Sequence, residues 1–262
     1  MGTEKPFVGR LRISSELRLR QENYGRPELG AERRLSDQRL VTGVAYAMRP
    51  WLFLSASVPV VRRTLQYPNL AQDEVMHMGD ADATAKFFLW QDRAFRPKHL
   101  AGATVGLTAP TAVRQRHPDG NWMDIDVQPG FGAWVPSAGL WYSHFRFPWS
   151  LHVSSTVHVP TPGWSGLHAG VSWLNTVSAQ YQPTTWLGAG LSADARTGQR
   201  DTYSGVVDPN SGGTIVYLSP SVLISPWTDV IVHATVRVPV VDALFGVHDE
   251  GTIFVGGLTF DL

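Results

Sequence analysis

The stretch Thr252-Ile-Phe-Val-Gly-Gly-Leu-Thr-Phe-Asp-Leu262 decides how the chain is read. Thr252, Phe254, Gly256, Leu258, Phe260 and Leu262 share one parity; Val255, Gly257, Thr259 and Asp261 share the other. Strand side chains alternate between faces, so one face is mostly apolar and the other small and polar. In water, an apolar strand ending on a hydrophobic residue invites edge pairing. The pattern suits a strand whose apolar face meets lipid and whose edge pairs with the first strand. The expectation is an all-β, antiparallel transmembrane β-barrel of about twelve strands over residues 1–262, closed at this seam.

Residues 7–20 carry the partner pattern. Phe7, Gly9, Leu11, Ile13, Leu17 and Leu19 fall on one face; Arg10, Arg12, Glu16, Arg18 and Arg20 fall on the other. A row of arginines is costly in a dry core but acceptable in a wet barrel interior. Ten further strands are expected, near residues 39–48, 52–61, 81–90, 100–108, 133–145, 151–159, 167–181, 186–196, 214–224 and 229–238. Pro136 suggests a bulge, and Asn175 an irregularity. Connections alternate between short ones near 50, 93, 148, 183 and 226 and long ones near 28, 72, 120, 163, 205 and 245, as in barrels with tight periplasmic turns and longer external loops. Trp51, Trp90, Trp149, Trp186 and Trp227 sit beside the short connections, where indoles form an interfacial girdle.

Composition bounds the rest. The 262 residues have zero formal net charge, no cysteine, 25 glycines, 18 prolines and 10 tryptophans. Nothing favours nucleic-acid binding, a disulfide framework or thiolate chemistry. No apolar run approaches the roughly 18 residues of a membrane helix, and the 43% hydrophobic content is ordinary, as expected when only alternate residues meet lipid. Met1-Gly-Thr-Glu-Lys-Pro6 has no apolar leader core, so an outer-membrane destination requires a leader absent from this sequence.

The segments Pro209-Asn-Ser-Gly-Gly-Thr-Ile-Val-Tyr-Leu-Ser-Pro220 and Val236-Arg-Val-Pro-Val240 resemble the C-terminal region of the "MetA-pathway of phenol degradation" family. Gln128-Pro-Gly-Phe-Gly-Ala-Trp134, Tyr142-Ser-His144 and Trp149-Ser-Leu-His152 are similar to its middle strands, and the resemblance runs from about Arg39 onward. It implies a bacterial outer-membrane barrel that moves small hydrophobic or aromatic compounds. The ending Phe260-Asp-Leu262 departs from the aromatic terminus common in that family.

The residues expected to line the lumen are Arg10, Arg12, Glu16, Arg18, Arg20, Asp82, Lys86, His152, His158, His168, Asp194, Arg196, His233 and Arg237, with Arg39 beside them. His158 and His168 are expected to face each other across an external hairpin. The arginines near the seam suggest either a basic strip that draws anions or a salt-bridged filling. Met76-His77-Met78, in an expected loop, offers soft ligands but falls short of a convergent metal set. Ser143 and His144 are strand neighbours on opposite faces and cannot pair, and no catalytic motif is present. The functional expectation is a channel or transporter for small organic molecules, not an enzyme, without cofactor or metal. Its expected partners are outer-membrane lipid, a small-molecule solute and, during biogenesis, the barrel-assembly machinery. A structural or interaction barrel with a sealed lumen and a soluble ligand-binding β-barrel are the alternatives.

Overall fold

A computed structural model describes residues 8–25, 32–93 and 96–262. Twelve antiparallel strands close into a barrel. They are β1 (Leu11–Tyr24), β2 (Arg33–Arg49), β3 (Leu52–Gln66), β4 (Ala81–Gln91), β5 (His99–Ala109) and β6 (Val135–Arg146). The second half comprises β7 (Trp149–His158), β8 (Ser172–Tyr181), β9 (Leu187–Gly198), β10 (Gly213–Trp227), β11 (Val230–Leu244) and β12 (Ile253–Asp261). Each pairs with its sequence neighbours, and β1 pairs with both β2 and β12. The seam runs from Arg12 opposite Asp261 to Leu19 opposite Phe254, and Leu11 and Leu262 exchange backbone hydrogen bonds of 3.0 and 2.7 Å. Closure matters because an open strand edge in hydrocarbon has no partner for its N–H and C=O groups.

Strand parity sets the two surfaces. Leu40, Val44, Leu54, Val153, Leu191 and Val232 are outward and exposed on the bare protein, an apolar belt suited to lipid. The five turn-side tryptophans are all more than half exposed: Trp51 53%, Trp90 53%, Trp149 56%, Trp186 55% and Trp227 71%. They mark the rim with the short turns, where an amphipathic ring fits the membrane interface.

Several boundaries differ from the expectation. Phe7 lies outside the described residues, as does 26–31 of the first expected loop. Residues expected as a loop near 72 instead form a strand, Gln72–Met78, that pairs with the outer end of β3 in register with β4. There Met76 and Met78 share the exposed face while His77 points the other way, so the three side chains cannot converge on a metal. The expected strand over 167–181 is two elements. Leu167–His168 joins Thr202–Tyr203 and Val206–Val207 in a small external sheet, and β8 begins at Ser172 with unbroken pairing through Asn175. Pro136 likewise sits in continuous register with Leu107, without a bulge.

Candidate functional site: the barrel interior

Two walls of different chemistry face each other inside the barrel. On β1–β3 and β9–β12 the inward positions include most of the interior charge, bonded to one another among small and apolar neighbours such as Gly43, Ser57, Ser219 and Gly257. Asp37 is the hub: its carboxylate accepts from Arg39 at 2.8 Å and Arg63 at 2.9 Å, with Arg20 at 3.6 Å. Glu250, from the short strand His248–Glu250 that pairs with β1, bonds Arg196 and accepts from the Tyr217 hydroxyl at 2.8 Å, with Arg20 3.7 Å away. Glu22 takes Arg20 at 2.6 Å. Asp194 accepts from Thr176 at 2.7 Å and faces Arg237 at 3.4 Å. Glu16 holds Arg18 at 2.5 Å and lies 3.4 Å from His233. At the turn end Arg12 meets Asp261 at 2.5 Å, and Arg10 meets Asp229 at 3.2 Å.

The expected basic strip near the seam is therefore a salt-bridged one. Besides Glu16, Asp82 and Asp194, the acidic residues expected on the lumen face, the arginines are met by Glu22, Asp37, Glu250 and Asp261. Glu22, Asp37 and Glu250 are each at most 4% exposed, and buried carboxylates persist where cations and hydrogen bonds compensate them. Their inward parity within β1 and β2 was the available signal for Glu22 and Asp37. Glu250 carried none, because the strand that positions it is three residues long.

On β4–β9 the inward positions are mostly hydroxyls and glycine: Thr84, Thr104, Gly106, Ser137, Gly139 and Thr156. The wall is thin, with the Ser137 and Thr156 hydroxyls lying over Gly106 and Gly139. Asp82 accepts from the Thr84 and Thr108 hydroxyls, each at 3.2 Å. Lower down, Lys86, Phe88, Trp141, Ser143 and His152 form an aromatic group with one cation. His158 is inward, in register with Ser137 and Ser172. His168 does not face it: it is exposed in the external sheet, opposite Thr202, because the chain leaves the barrel between Val159 and Val171.

Ser143 hydrogen-bonds across the strand pair to His152 Nδ1 at 2.8 Å. Ser143 is fully buried, and His152 has no carboxylate partner among the described residues, so the pair lacks an accessible nucleophile and an orienting acid. No group of three or more metal-ligating side chains gathers among the described residues.

The external end is narrowed from inside. Residues 110–134 fold back against β2 and β3, where Val127 packs with Leu35, Leu65 and Val75, all from the inner wall. Arg63 Nη1 donates to the Gln128 carbonyl at 2.5 Å, and Asp80 accepts from the Ala112 amide at 2.9 Å. Gly132 has φ +74°, and a Cβ there would lie 2.2 Å from the Trp164 ring, so glycine lets the two external loops stack. Within this loop, burial and the adjacent Asp124 charge push the Asp126 carboxyl up to about 6. An apolar groove of about 460 Å³, lined by Leu17, Leu19, Pro220, Val222 and Phe254, lies on the lipid side and is separate from the lumen.

A closed antiparallel barrel with an apolar belt, an aromatic rim and a polar interior is a β-barrel of the bacterial outer membrane. Neither a protein-family model nor a curated protein matches the sequence, so the resemblance to the phenol-degradation family rests on its short motifs. Among solved structures the chain is similar to an outer membrane channel from Pseudomonas putida F1, with a TM-score of 0.80 at 14% identity over 100% of this chain and 99% of that one. It is also similar to the translocator domain of the autotransporter NalP from Neisseria meningitidis, with a TM-score of 0.57 at 10% identity over 99% and 90% of the two chains. A deletion mutant of the monoaromatic hydrocarbon channel TodX matches with a TM-score of 0.53 at 9% identity over 98% and 90%. At these identities the likeness is one of fold.

Proposed function

We propose that the protein is a passive outer-membrane channel for small organic molecules, aromatic ones included. The observation that carries this reading is the division of the interior. The interior arginines lie on one wall and are paired there, while Thr84, Thr104, Gly106, Gly139 and Thr156 form an opposite wall of small side chains whose charged groups are Asp82 and Lys86. A pathway beside hydroxyls and glycines passes a small neutral solute without a large desolvation barrier, whereas an unneutralised arginine row would trap anions. Solved channels with this fold include one for monoaromatic hydrocarbons, which is consistent with the half-buried ring of Phe88 on the lumen face.

The loop over 110–134 favours a second reading, a barrel whose lumen is sealed by its own loop. Planar-bilayer recording of the refolded protein separates the two. The channel reading expects discrete conductance with only a small reversal potential in a salt gradient, because the interior arginines are paired and Lys86 is the one inward cation without a carboxylate in ion-pair distance among the described residues. Silence from correctly folded protein favours the sealed barrel.

A further inference from the structure

The geometry points to a binding site for a small aromatic carboxylate halfway down the lumen, built on Lys86, Trp141, Phe88 and His152. This deepens the channel reading by naming a solute class. Among the inward cations Arg10, Arg12, Arg18, Arg20, Arg39, Lys86, Arg196 and Arg237, all but Lys86 have a carboxylate within ion-pair distance among the described residues. The nearest carboxylate on its own strand face, Asp82, lies four residues up β4, roughly 13 Å away at 3.3 Å per residue. Asp82 is engaged by Thr84 and Thr108.

Aromatic rings take the place of a counterion. The Lys86 ammonium lies 4.0 Å from the Trp141 ring centroid and 5.7 Å from that of Phe88. Trp141 meets Phe88 edge-on at 5.0 Å and stacks on His152 at 6.3 Å. A cation over an indole is stabilised by the ring quadrupole but keeps its full charge. The arrangement is built into the wall. A Cβ at Gly102 would fall 1.8 Å from the Phe87 carbonyl and 2.8 Å from Trp141, so only glycine lets the indole lie against β5. His152 Nδ1 is engaged by the Ser143 hydroxyl at 2.8 Å, which leaves Nε2 as the ring nitrogen open to a solute. One uncompensated ammonium backed by the buried Trp141 indole, with the half-buried Phe88 and His152 rings beside it, matches an anion with a flat apolar body. A carboxylate would bond Lys86 while its ring lies among Trp141, Phe88 and His152.

Calorimetric titration of the full-length protein in detergent, with benzoate, benzyl alcohol and acetate as probes, tests the site. Benzoate is expected to bind saturably and more tightly than acetate. Lys86→Met is expected to weaken benzoate about tenfold or more while leaving benzyl alcohol within about twofold, and Lys86→Arg to retain most of the affinity. Trp141→Leu, which keeps the ammonium, is expected to weaken benzoate and leave acetate unchanged; it serves independently should a Lys86 variant fail to fold by heat-modifiable migration. Absent benzoate binding, equal affinity in wild type and Lys86→Met, or acetate binding as tightly as benzoate overturns the proposal. The titration needs no flux, so its failure leaves the bilayer recording intact, and a silent bilayer leaves the titration intact.

Discussion

Arg12 and Asp261, from opposite ends of the chain, meet across the closing seam, with Nε and Nη2 of the arginine donating at 2.5 and 2.8 Å to the two carboxylate oxygens. A two-pronged bond between charged groups fixes register as well as adding energy. Arg12→Gln is therefore expected to weaken the barrel by about 1.5–3 kcal/mol and to leave ion selectivity near the wild-type value. Urea unfolding in detergent and reversal potentials of the same preparation measure the two effects. Loss of anion preference without loss of stability would show Arg12 to be a free pore charge.

Asp37 serves three arginines from three strands, so removing it strands more charge than removing any one partner. Asp37→Ala is expected to cost about 3–5 kcal/mol, the range for breaking a buried ionic group. Arg39→Gln, at the more exposed partner, should cost clearly less. Midpoints of thermal unfolding rank the variants, and equal midpoints would remove Asp37 from its place as hub.

The lipid belt predicts a cost that depends on depth. Val153 lies midway along β7, whereas Val232 lies close to the turn end of β11. Val153→Lys is expected to cost about 2–4 kcal/mol and Val232→Lys about 0–1 kcal/mol, because lysine near the interface reaches water. Refolding titrations into lipid vesicles compare them; the reverse order would place the membrane midplane elsewhere.

Asp126 makes docking of the loop over 110–134 dependent on pH. Its carboxyl is raised to about 6 when docked, above the ordinary 3.8, so the docked loop binds the proton more tightly than the released one. The contribution is fully present below about pH 4 and is lost as pH rises through 6. Proteolysis within the loop should accordingly speed up between pH 5 and pH 7.5, and Asp126→Asn should flatten that change. An unchanged profile in Asp126→Asn would assign the dependence to another group.

Most of the barrel was legible because lipid imposes a two-residue period on each wall. The parity of Leu40 and Val44, of Leu54 and Val58, and of the closing strand placed the outer face, and the turn-side tryptophans marked the rim. The interior was legible only in part. Parity gives direction but not partners, so Arg18 could be assigned inward without revealing Glu16 as its acceptor. Asp37 went unread because it precedes the expected start of its strand at Arg39. His168 was misplaced because two residues of external sheet carry no periodicity. The partner of Ser143 is not its neighbour His144 but His152, nine residues away across a hairpin, a pairing that strand parity alone does not single out.

Flux along the hydroxyl wall is measured directly by proteoliposome uptake of a small neutral aromatic such as benzyl alcohol. Thr156, opposite Gly139, projects from that wall, and Thr156→Trp should fill the space without touching the ion pairs across the lumen. The expected result is uptake above protein-free vesicles that Thr156→Trp slows severalfold while the variant still folds. Uptake no faster than lipid alone, or equally fast in both proteins, would contradict a solute path through this barrel.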